Sequence, residues 1–230
     1  VTAERRLKVF DRGVLAADVP NEALTDQAPL YDRPWVEPRN PAADEDVSRL
    51  PLPADLGQAL LQVLAAPTVA NKRWIYRQYD STVRTNTLGG PGSDAAVVRV
   101  KGTRKALAMS ADGNGRYCML SPREGARLMV AECCRNLSVV GAQPVAATNN
   151  LNFGNPERPE IMAQLVEAIE GMSEACRFFE TPITGGNVSL YNETLGEPIL
   201  PSPVIGIVGL LETGPAVGTA FRNPGRAVVL

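Results

Sequence analysis

Hydrophobic and polar positions follow two different periods along this chain, and the period changes several times. Near the start, two short β-type runs at residues 6–10 and 14–19 flank the turn Asp11-Arg12-Gly13. A turn of this composition between two such runs predicts a β-hairpin. Because two strands cannot form a core alone, we expect them to belong to a sheet whose other strands lie outside this sequence.

The next segment changes from strands to a proline-rich connection and then to helices. Residues 20–54 contain frequent prolines and the acidic run Asp44-Glu45-Asp46, which predicts an extended linker. Leucines then recur at helical spacing over residues 56–64, so we expect a helix that begins near Pro53 or Asp55 and ends before Pro67. A second, short helix is predicted over residues 70–76.

From residue 95 onward the pattern alternates between strands and long helices. Strands are expected at 95–100, 105–111, 144–152, 183–190 and 204–211. Two long helices, each with one apolar face, are expected at 121–141 and 159–179. Ser121 fits the N-cap of the first, Pro122 its first position, Glu124 a capping box and Gly141 its C-terminal stop. Residues 213–226 predict a linker, and residues 227–230 the first strand of a further domain.

These elements predict an α/β fold of the α+β type, with a mixed, antiparallel-rich sheet packed on the two long helices. Of the 230 residues, 44% are hydrophobic and 21% charged, and the net charge is -2. This balance argues against a nucleic-acid partner, and no apolar run is long enough for a membrane span or a signal peptide. The first residue is Val1, which fits a processed protein or an excerpt of a longer one.

The cysteines and the absence of histidine narrow the chemistry. Four cysteines occur without any C-x-x-C pair, and there is no histidine, which argues against a zinc site. Buried free thiols in a reducing cytoplasm are the expected state. Histidine is the usual acid–base catalyst near neutral pH, so its absence favours a binding half-site over a self-sufficient catalyst.

Four polar segments stand at predicted strand ends, where α/β sheets commonly bind ligands: 92–96, 112–115, 148–155 and 185–189. For residues 112–115 we favour a plain turn. For residues 92–96, a turn and a metal site at Asp94 are equally good interpretations. The four asparagines at 149, 150, 152 and 155 exceed what a turn needs. None of the segments is a P-loop or a dinucleotide-binding fingerprint.

The segment Gly185-Gly186-Asn187-Val188-Ser189 has the composition of a phosphate or metal–phosphate site. The glycines would let a backbone approach a bulky anion, and Asn187 and Ser189 would share one face of an extended chain. The alternative is a glycine bulge in an ordinary strand, with Asn187 capping a turn. The local pattern alone slightly favours that alternative.

Several blocks together resemble the phosphoribosylformylglycinamidine synthase family along residues 22–230. The resemblance is carried by Tyr31-Asp-Arg-Pro34, Arg77-Gln-Tyr-Asp80, Asn152-Phe-Gly-Asn-Pro156 and Thr184-Gly-Gly-Asn-Val-Ser-Leu-Tyr-Asn-Glu193. It implies a domain like the N-terminal domain of aminoimidazole ribonucleotide synthetase, forming half of a pseudosymmetric barrel. It also implies that the chain is an excerpt from the start of the second half of a synthetase.

On this resemblance the chain divides into four segments. Residues 1–28 would end a preceding domain, 29–66 would be a linker and helix, 67–214 the dimerisation-type ATP- and substrate-binding domain, and 215–230 a linker and the first strand of the next domain. The catalytic histidine would lie in the other half, so we expect no catalytic residue in this fragment and no activity from it alone. A homodimer of the fragment, in place of the missing half, stays an open alternative.

The family reaction uses ATP and Mg²⁺ to convert formylglycinamide ribonucleotide to its amidine, with ammonia from a glutaminase subunit. The resemblance places ATP at Asn149 and Gly186, Mg²⁺ at Asn187 and the substrate at Ser189. Relatives commonly have aspartate at the position of Asn149, and the family's paired acids are reduced to Asp94 here, so a metal role for Asp94 stays open. Two alternatives stay open: a dimerising half-site without ligands, and another ATP-dependent enzyme of the superfamily, such as aminoimidazole ribonucleotide synthetase or thiamine-phosphate kinase.

Overall fold

The structure, a computed structural model, describes residues 3–36 and 46–227. The chain divides into two compact units, Val1–Pro34 and Trp35–Leu230. The acidic run of the predicted linker falls largely outside the described residues, and so do three of the four residues of the predicted terminal strand, 228–230. The finer division into four segments stays a prediction.

The first unit is a β-hairpin followed by one helical turn. Strands β1 (Arg6–Asp11) and β2 (Val14–Pro20) pair antiparallel, and α1 (Asn21–Leu24) follows directly. The two turn residues, Arg12 and Gly13, both have positive φ, at 49° and 83°. Tight hairpin turns require this geometry at both central residues, so the predicted hairpin is confirmed.

The second unit contains five α-helices and eight strands among the described residues. Its helices are α2 (Leu56–Ala65), α3 (Arg73–Tyr76), α4 (Gly115–Leu120), α5 (Pro122–Val139) and α6 (Pro159–Phe178). Its strands are β3 (Thr87–Gly89), β4 (Ala96–Arg99), β5 (Ala106–Asp112), β6 (Gln143–Asn152), β7 (Ile183–Ser189), β8 (Glu193–Thr194), β9 (Glu197–Pro198) and β10 (Ser202–Leu211). Neither α4 nor the short strands β3, β8 and β9 were predicted.

Six of these strands form one sheet in the order β3-β4-β5-β10-β6-β7. All neighbours are antiparallel except β6 and β7, which are parallel and are joined by the crossover helix α6. Strands β8 and β9 pair with each other. The predicted mixed, antiparallel-rich sheet is therefore confirmed, and a parallel pair of this kind needs a long crossover such as α6.

One face of the sheet is buried under α5 and α6. Along β10 the residues alternate strictly, with Ile205 and Ile207 fully buried and Val204 and Val208 only partly buried. The buried positions join side chains of α5 and α6 in one hydrophobic core. We call the opposite side of the sheet, which carries Met109, Thr148, Asn150, Gly206 and Val208, the open face. No helix in the described parts of the chain is long and apolar enough to cross a membrane.

Helices α5 and α6 pack very closely at one glycine. A Cβ added to Gly171 of α6 would lie 2.1 Å from the backbone oxygen of Arg123 in α5, so only glycine fits there. Arg123 and Arg127 of α5 also form salt bridges with Glu174 of α6. The hydrogen bond from Arg123, which has the larger effect, and the one from Arg127 lower the pKa of the Glu174 carboxyl to about 2. Close backbone contact and charge pairing therefore hold the two helices together.

The N-terminus of α5 departs from prediction in one respect. Ser121 has the extended backbone of an N-cap and Pro122 follows it, as expected, but the Ser121 side chain makes no capping hydrogen bond. The predicted capping box is therefore wrong. Glu124 instead forms a salt bridge with Arg127, one turn further along, and that pairing draws its carboxylate away from the N-terminus.

The four cysteines are buried and free, as expected. Burial raises the pKa of the Cys118 thiol to about 11 and that of the Cys133 thiol to about 12. Thiolates are the reactive form of cysteine, so these thiols are structural core residues that stay unreactive in the folded state.

The two long helices end in the same way with different residues. After α5, Gly141 has φ 89°, and the amides of Gly141 and Ala142 donate to the last turn at 2.9 Å each. After α6, Glu180 has φ 51°, and the amides of Glu180 and Thr181 make the equivalent bonds at 3.2 and 2.9 Å. Both ends are Schellman motifs, which favour glycine at the left-handed position. Glu180 therefore holds a strained backbone.

We expect Glu180→Gly to stabilise the protein and Gly141→Ala to destabilise it, each by about 1 kcal/mol. A non-glycine residue in the left-handed region costs about 1–2 kcal/mol, partly offset by the extra freedom of glycine in the unfolded chain. The measurement is urea unfolding followed by circular dichroism. Gly218→Ala is the control, since a Cβ there meets open space and φ is not positive. A loss of stability in Glu180→Gly would contradict the assignment.

Candidate functional site

The parallel pairing of β6 with β7 brings the four predicted site residues together. Three of the six pairs in its register matter here: Asn149 with Gly186, Asn150 with Asn187, and Asn152 with Ser189. The asparagines at 149, 150 and 152 were predicted at the end of a strand and in the loop after it, and they lie within β6. Two segments that are distant in sequence thus form one continuous polar region.

The four residues lie on opposite faces of the sheet. Ala147 and Leu151 of β6 are buried in the core, so Asn149 between them also points toward the helices. Its Nδ2 atom lies 3.7 Å from the sulfur of Met172 in α6. Asn187 and Ser189 pair with Asn150 and Asn152, which lie on the open face, so both residues lie on the open face as well. Asn149 and Gly186 therefore form one part of the site, and Asn187 and Ser189 form another.

Gly186 is required by the side chain of Asn149. A Cβ added to Gly186 would lie 1.9 Å from Asn149 Oδ1 and 2.9 Å from the Asn149 backbone oxygen, whereas a Cβ added to Gly185 would meet no atom within 4 Å. The register also shifts by one residue at Thr184, immediately before the glycines. The extra residue of this bulge is Thr184 and not a glycine, and Asn187 lies inside β7 and does not cap a turn.

Asn187 is exposed and is oriented by its neighbour on β6. Its Nδ2 atom donates to Asn150 Oδ1 at 3.1 Å, and no donor from the described residues reaches Asn187 Oδ1. The amide oxygen is therefore available to a cation or to a hydrogen-bond donor. Asn150 was recognised in the sequence only as one of several asparagines, because its contact with Asn187 depends on strand register.

Ser189 is held by a residue that the sequence reasoning missed. Its Oγ atom donates to Asn192 Oδ1 at 3.1 Å. Asn192 Nδ2 in turn donates to the backbone oxygens of Phe153 and Ser189, at 3.0 and 2.9 Å. Asn192 thereby joins the loop after β7 to the end of β6. Its position three residues after Ser189 is the only local sequence signal for this contact.

The segment 112–115 is more than the plain turn that we favoured. Asn114 Oδ1 accepts hydrogen bonds from the amides of Arg116 and Tyr117, at 3.1 and 3.2 Å, and so caps α4. The neighbouring Asp112 is the main cause of a raised pKa for the Glu132 carboxyl of α5, followed by partial burial. The end of β5 and α5 therefore bring two carboxyl groups close together, which disfavours the charged form of Glu132.

Asp94 lies apart from the other candidates. It is exposed in the loop before β4 and lines a shallow depression with Ser110 and Asn136. Four strand intervals separate β4 and β7 in the sheet order, which at about 4.8 Å each amounts to roughly 19 Å. Asp94 therefore does not join Asn187.

The polar groups of the candidate site are side-chain amides and one hydroxyl, and none of them carries a charge. Among the described residues no group of three or more histidine, cysteine, aspartate or glutamate side chains could hold a metal ion. Asn187 can supply one neutral oxygen ligand. Mg²⁺ is usually bound through one or two carboxylates together with substrate phosphates and water. The residues present therefore fit Mg²⁺ that arrives with phosphate oxygens, and do not fit an isolated ion.

These features, a mixed sheet on two long helices with amide and hydroxyl groups at the β6–β7 edge, define an α/β domain with a polar sheet edge. The family model described as "AIR synthase related protein, N-terminal domain" matches residues 92–211, and the chain belongs to this family. The match covers β4 to β10 and includes all four candidate residues on β6 and β7.

Individual proteins and solved structures within this family are similar to the chain over most or all of its length. The chain is 52% identical to the phosphoribosylformylglycinamidine synthase subunit PurL of Moorella thermoacetica, over 100% of this chain and 32% of that protein. It is also similar to Thermotoga maritima PurL complexed with ATP, at 28% identity and a TM-score of 0.66. The same protein complexed with FGAR gives 28% identity and a TM-score of 0.67. Both structures match 90% of this chain and about a third of the other, 32% and 31%. The chain thus spans about a third of the length of these relatives.

We expect Gly186→Ala to disturb the site and Gly185→Ala to be tolerated. The new methyl group in Gly186→Ala would displace the Asn149 side chain and strain β6, at a cost of about 1–3 kcal/mol. Urea unfolding measures the loss, and the side-chain amide resonances of Asn149 report its displacement. Gly185→Ala is the matched control on the adjacent residue. Equal effects of the two substitutions would contradict the close contact between Gly186 and Asn149.

We expect Glu132→Gln to stabilise the protein at neutral pH. A carboxyl whose folded pKa is raised binds its proton more tightly in the folded state, so its contribution to stability is lost as pH rises above the ordinary value of 4.5. The variant should have a higher melting temperature at pH 7 and a flatter decline of stability from pH 4.5 upward. Glu197→Gln, in exposed β9, is the control. A lower melting temperature for Glu132→Gln at pH 7 would contradict a raised pKa of Glu132.

Proposed function

We propose that this chain is part of an ATP-dependent phosphoribosylformylglycinamidine synthase. The proposed reaction converts formylglycinamide ribonucleotide (FGAR) to the amidine in purine biosynthesis. The observation that carries the proposal is the register of β6 and β7, which places Asn149 beside Gly186 and brings Asn187 and Ser189 onto the same edge. The identity with a synthase subunit over the whole chain supports it.

Within this function each candidate residue has a separate role. Asn149 and Gly186, which touch on the helix side, would contact ATP. Asn187 would help to hold Mg²⁺ through its free amide oxygen, and Ser189 would contact the substrate from the open face. The complexes of Thermotoga maritima PurL with ATP and with FGAR support a nucleotide and a substrate in a similar fold.

Bound Mg²⁺ would neutralise the phosphate charge of ATP while the formamide oxygen of the substrate is activated. The residues of this chain would orient the reactants and would not transfer protons, because amides and a hydroxyl have no useful pKa near neutrality. We propose that acid–base groups come from the remainder of a longer synthetase chain, with ammonia from a glutaminase subunit. A cytoplasmic location belongs to the same proposal.

The open face suggests how the remainder of the synthetase would meet this domain. Met109 is 38% exposed and lies in a shallow depression with Thr148, Gly206 and Val208. An exposed apolar sheet face of this kind commonly packs against another surface. We propose that it faces the other synthetase half, or a second copy of this chain when that half is missing. A dimer without ligand binding is the competing function, and ATP titration by calorimetry, with and without Mg²⁺, separates the two.

We expect the complete synthetase that carries this segment to convert FGAR with ATP, Mg²⁺ and ammonia, and this chain alone to be inactive. In the complete protein, Asn187→Ala should raise the Mg²⁺ concentration needed for half-maximal rate by about 10–100-fold, because a metal ligand is lost. Val188→Ala is the matched control, since Val188 is 55% exposed and pairs with Leu151 on the helix side. Turnover by this chain alone, or an unchanged Mg²⁺ requirement in Asn187→Ala, would overturn the corresponding assignment.

A further inference from the structure

Asn192 determines the direction in which the Ser189 hydroxyl points. Its Nδ2 atom lies 3.0 Å from the backbone oxygen of Phe153 and 2.9 Å from that of Ser189. Both partners can only accept, so the amide nitrogen must lie on that side and the amide oxygen on the other. That oxygen lies 3.1 Å from Ser189 Oγ. Because a carbonyl oxygen cannot donate, the hydroxyl gives its single proton to Asn192.

The hydroxyl of Ser189 therefore has only lone pairs left for a ligand. We propose that Asn192 is a positioning residue that makes Ser189 a hydrogen-bond acceptor, which binds an N–H or O–H group of the ligand and not a phosphate oxygen. The identity of the ligand rests on the proposed function. In FGAR the amide nitrogens and ribose hydroxyls can donate, whereas the oxygens of an ionised phosphate accept only.

The surrounding backbone holds this arrangement firmly. The amide of Phe153 donates to the Ser189 oxygen at 3.1 Å, and the amide of Asn192 returns a bond of 3.1 Å to the Phe153 oxygen. The amide of Tyr191 donates to the Gly154 oxygen at 2.9 Å. The Phe153 side chain is fully buried in the core. The loops after β6 and β7 are therefore joined by several bonds, and Asn192 lies at their centre with its side chain half-buried.

The first test examines the contact without any ligand. Hydrogen exchange of side-chain amides, measured by NMR on the chain itself, should show slow exchange at Asn192 Nδ2, since both protons are engaged. Asn71 is the comparison, because its side chain contacts the chain through Oδ1, which accepts from the Arg73 amide. Exchange at Asn192 as fast as at Asn71 would overturn the proposed arrangement.

The second test examines the ligand in the complete synthetase. Asn192→Ala and Ser189→Ala should each raise the KM for FGAR by about tenfold, the typical value of one hydrogen bond, with little change in kcat or in the KM for ATP. The double variant should be no worse than Ser189→Ala, because the two residues act through one contact. Thr194→Ala, in exposed β8, is the control.

A ligand that lacks the phosphate distinguishes a contact of Ser189 with an N–H or O–H group of FGAR from a contact with its phosphate. Inhibition by the ribonucleoside that lacks the phosphate should weaken by the same factor in Ser189→Ala as binding of FGAR does. Equal inhibition of wild type and variant by the ribonucleoside would assign Ser189 to the phosphate and overturn the inference. Wild-type protein that converts no FGAR would overturn the proposed function instead, while the exchange measurement still decides whether Asn192 holds the hydroxyl.

Discussion

The burial of Ala147 and Leu151 on β6 determines the position of the candidate residues on β6 and β7. Side chains alternate along a strand, so anchoring these two in the core sends Asn150 and Asn152 to the open face and Asn149 to the helix side. A slip of one residue would bury two amides and expose the apolar anchors. Since unpaired amides are costly to bury, the core selects a single register. The polar site is thus a consequence of apolar packing.

The same packing fixes β7 through its connection. Parallel strands need a crossover, and α6 supplies it between β6 and β7. The close contact of Gly171 with Arg123 and the salt bridges of Glu174 set where α6 lies on α5. Because β7 begins five residues after α6 ends, the depth at which the helices pack controls where Gly186 meets Asn149.

Local signals predicted the long elements well. Pro122 and Gly141 bound α5, and the apolar period of α6 indicated its length, so both helices were expected within about two residues of their observed bounds. Signals that depend on competition between neighbours failed. Glu124 could accept a hydrogen bond at the helix N-terminus or pair with Arg127, and in the structure it pairs with Arg127. The short helix α4 was missed because the sequence 112–115 is equally suited to a turn and to a helix cap.

Contacts between segments that are distant along the chain could not be predicted from the sequence. Asn150 and Asn187 are 37 residues apart, and nothing near either residue indicates that they pair. The strand order could not be predicted either, because β10 lies between β5 and β6 in the sheet although it is the last strand along the chain. The resemblance to a family named Asn149, Gly186, Asn187 and Ser189 as site residues, but it could not show that they divide between two faces of the sheet.

That division constrains how one ligand could contact all four residues. Asn149 lies toward the helices and Asn187 toward the open face, so a nucleotide touching both must pass the exposed edge strand β7. Gly185 and Gly186 leave that edge without side chains, which allows the close approach of a bulky anion. The groups facing it are amides and one hydroxyl, and they change charge at no physiological pH. Such a surface can orient phosphate and metal, but the charge that balances them must come from the ligand itself or from another polypeptide surface.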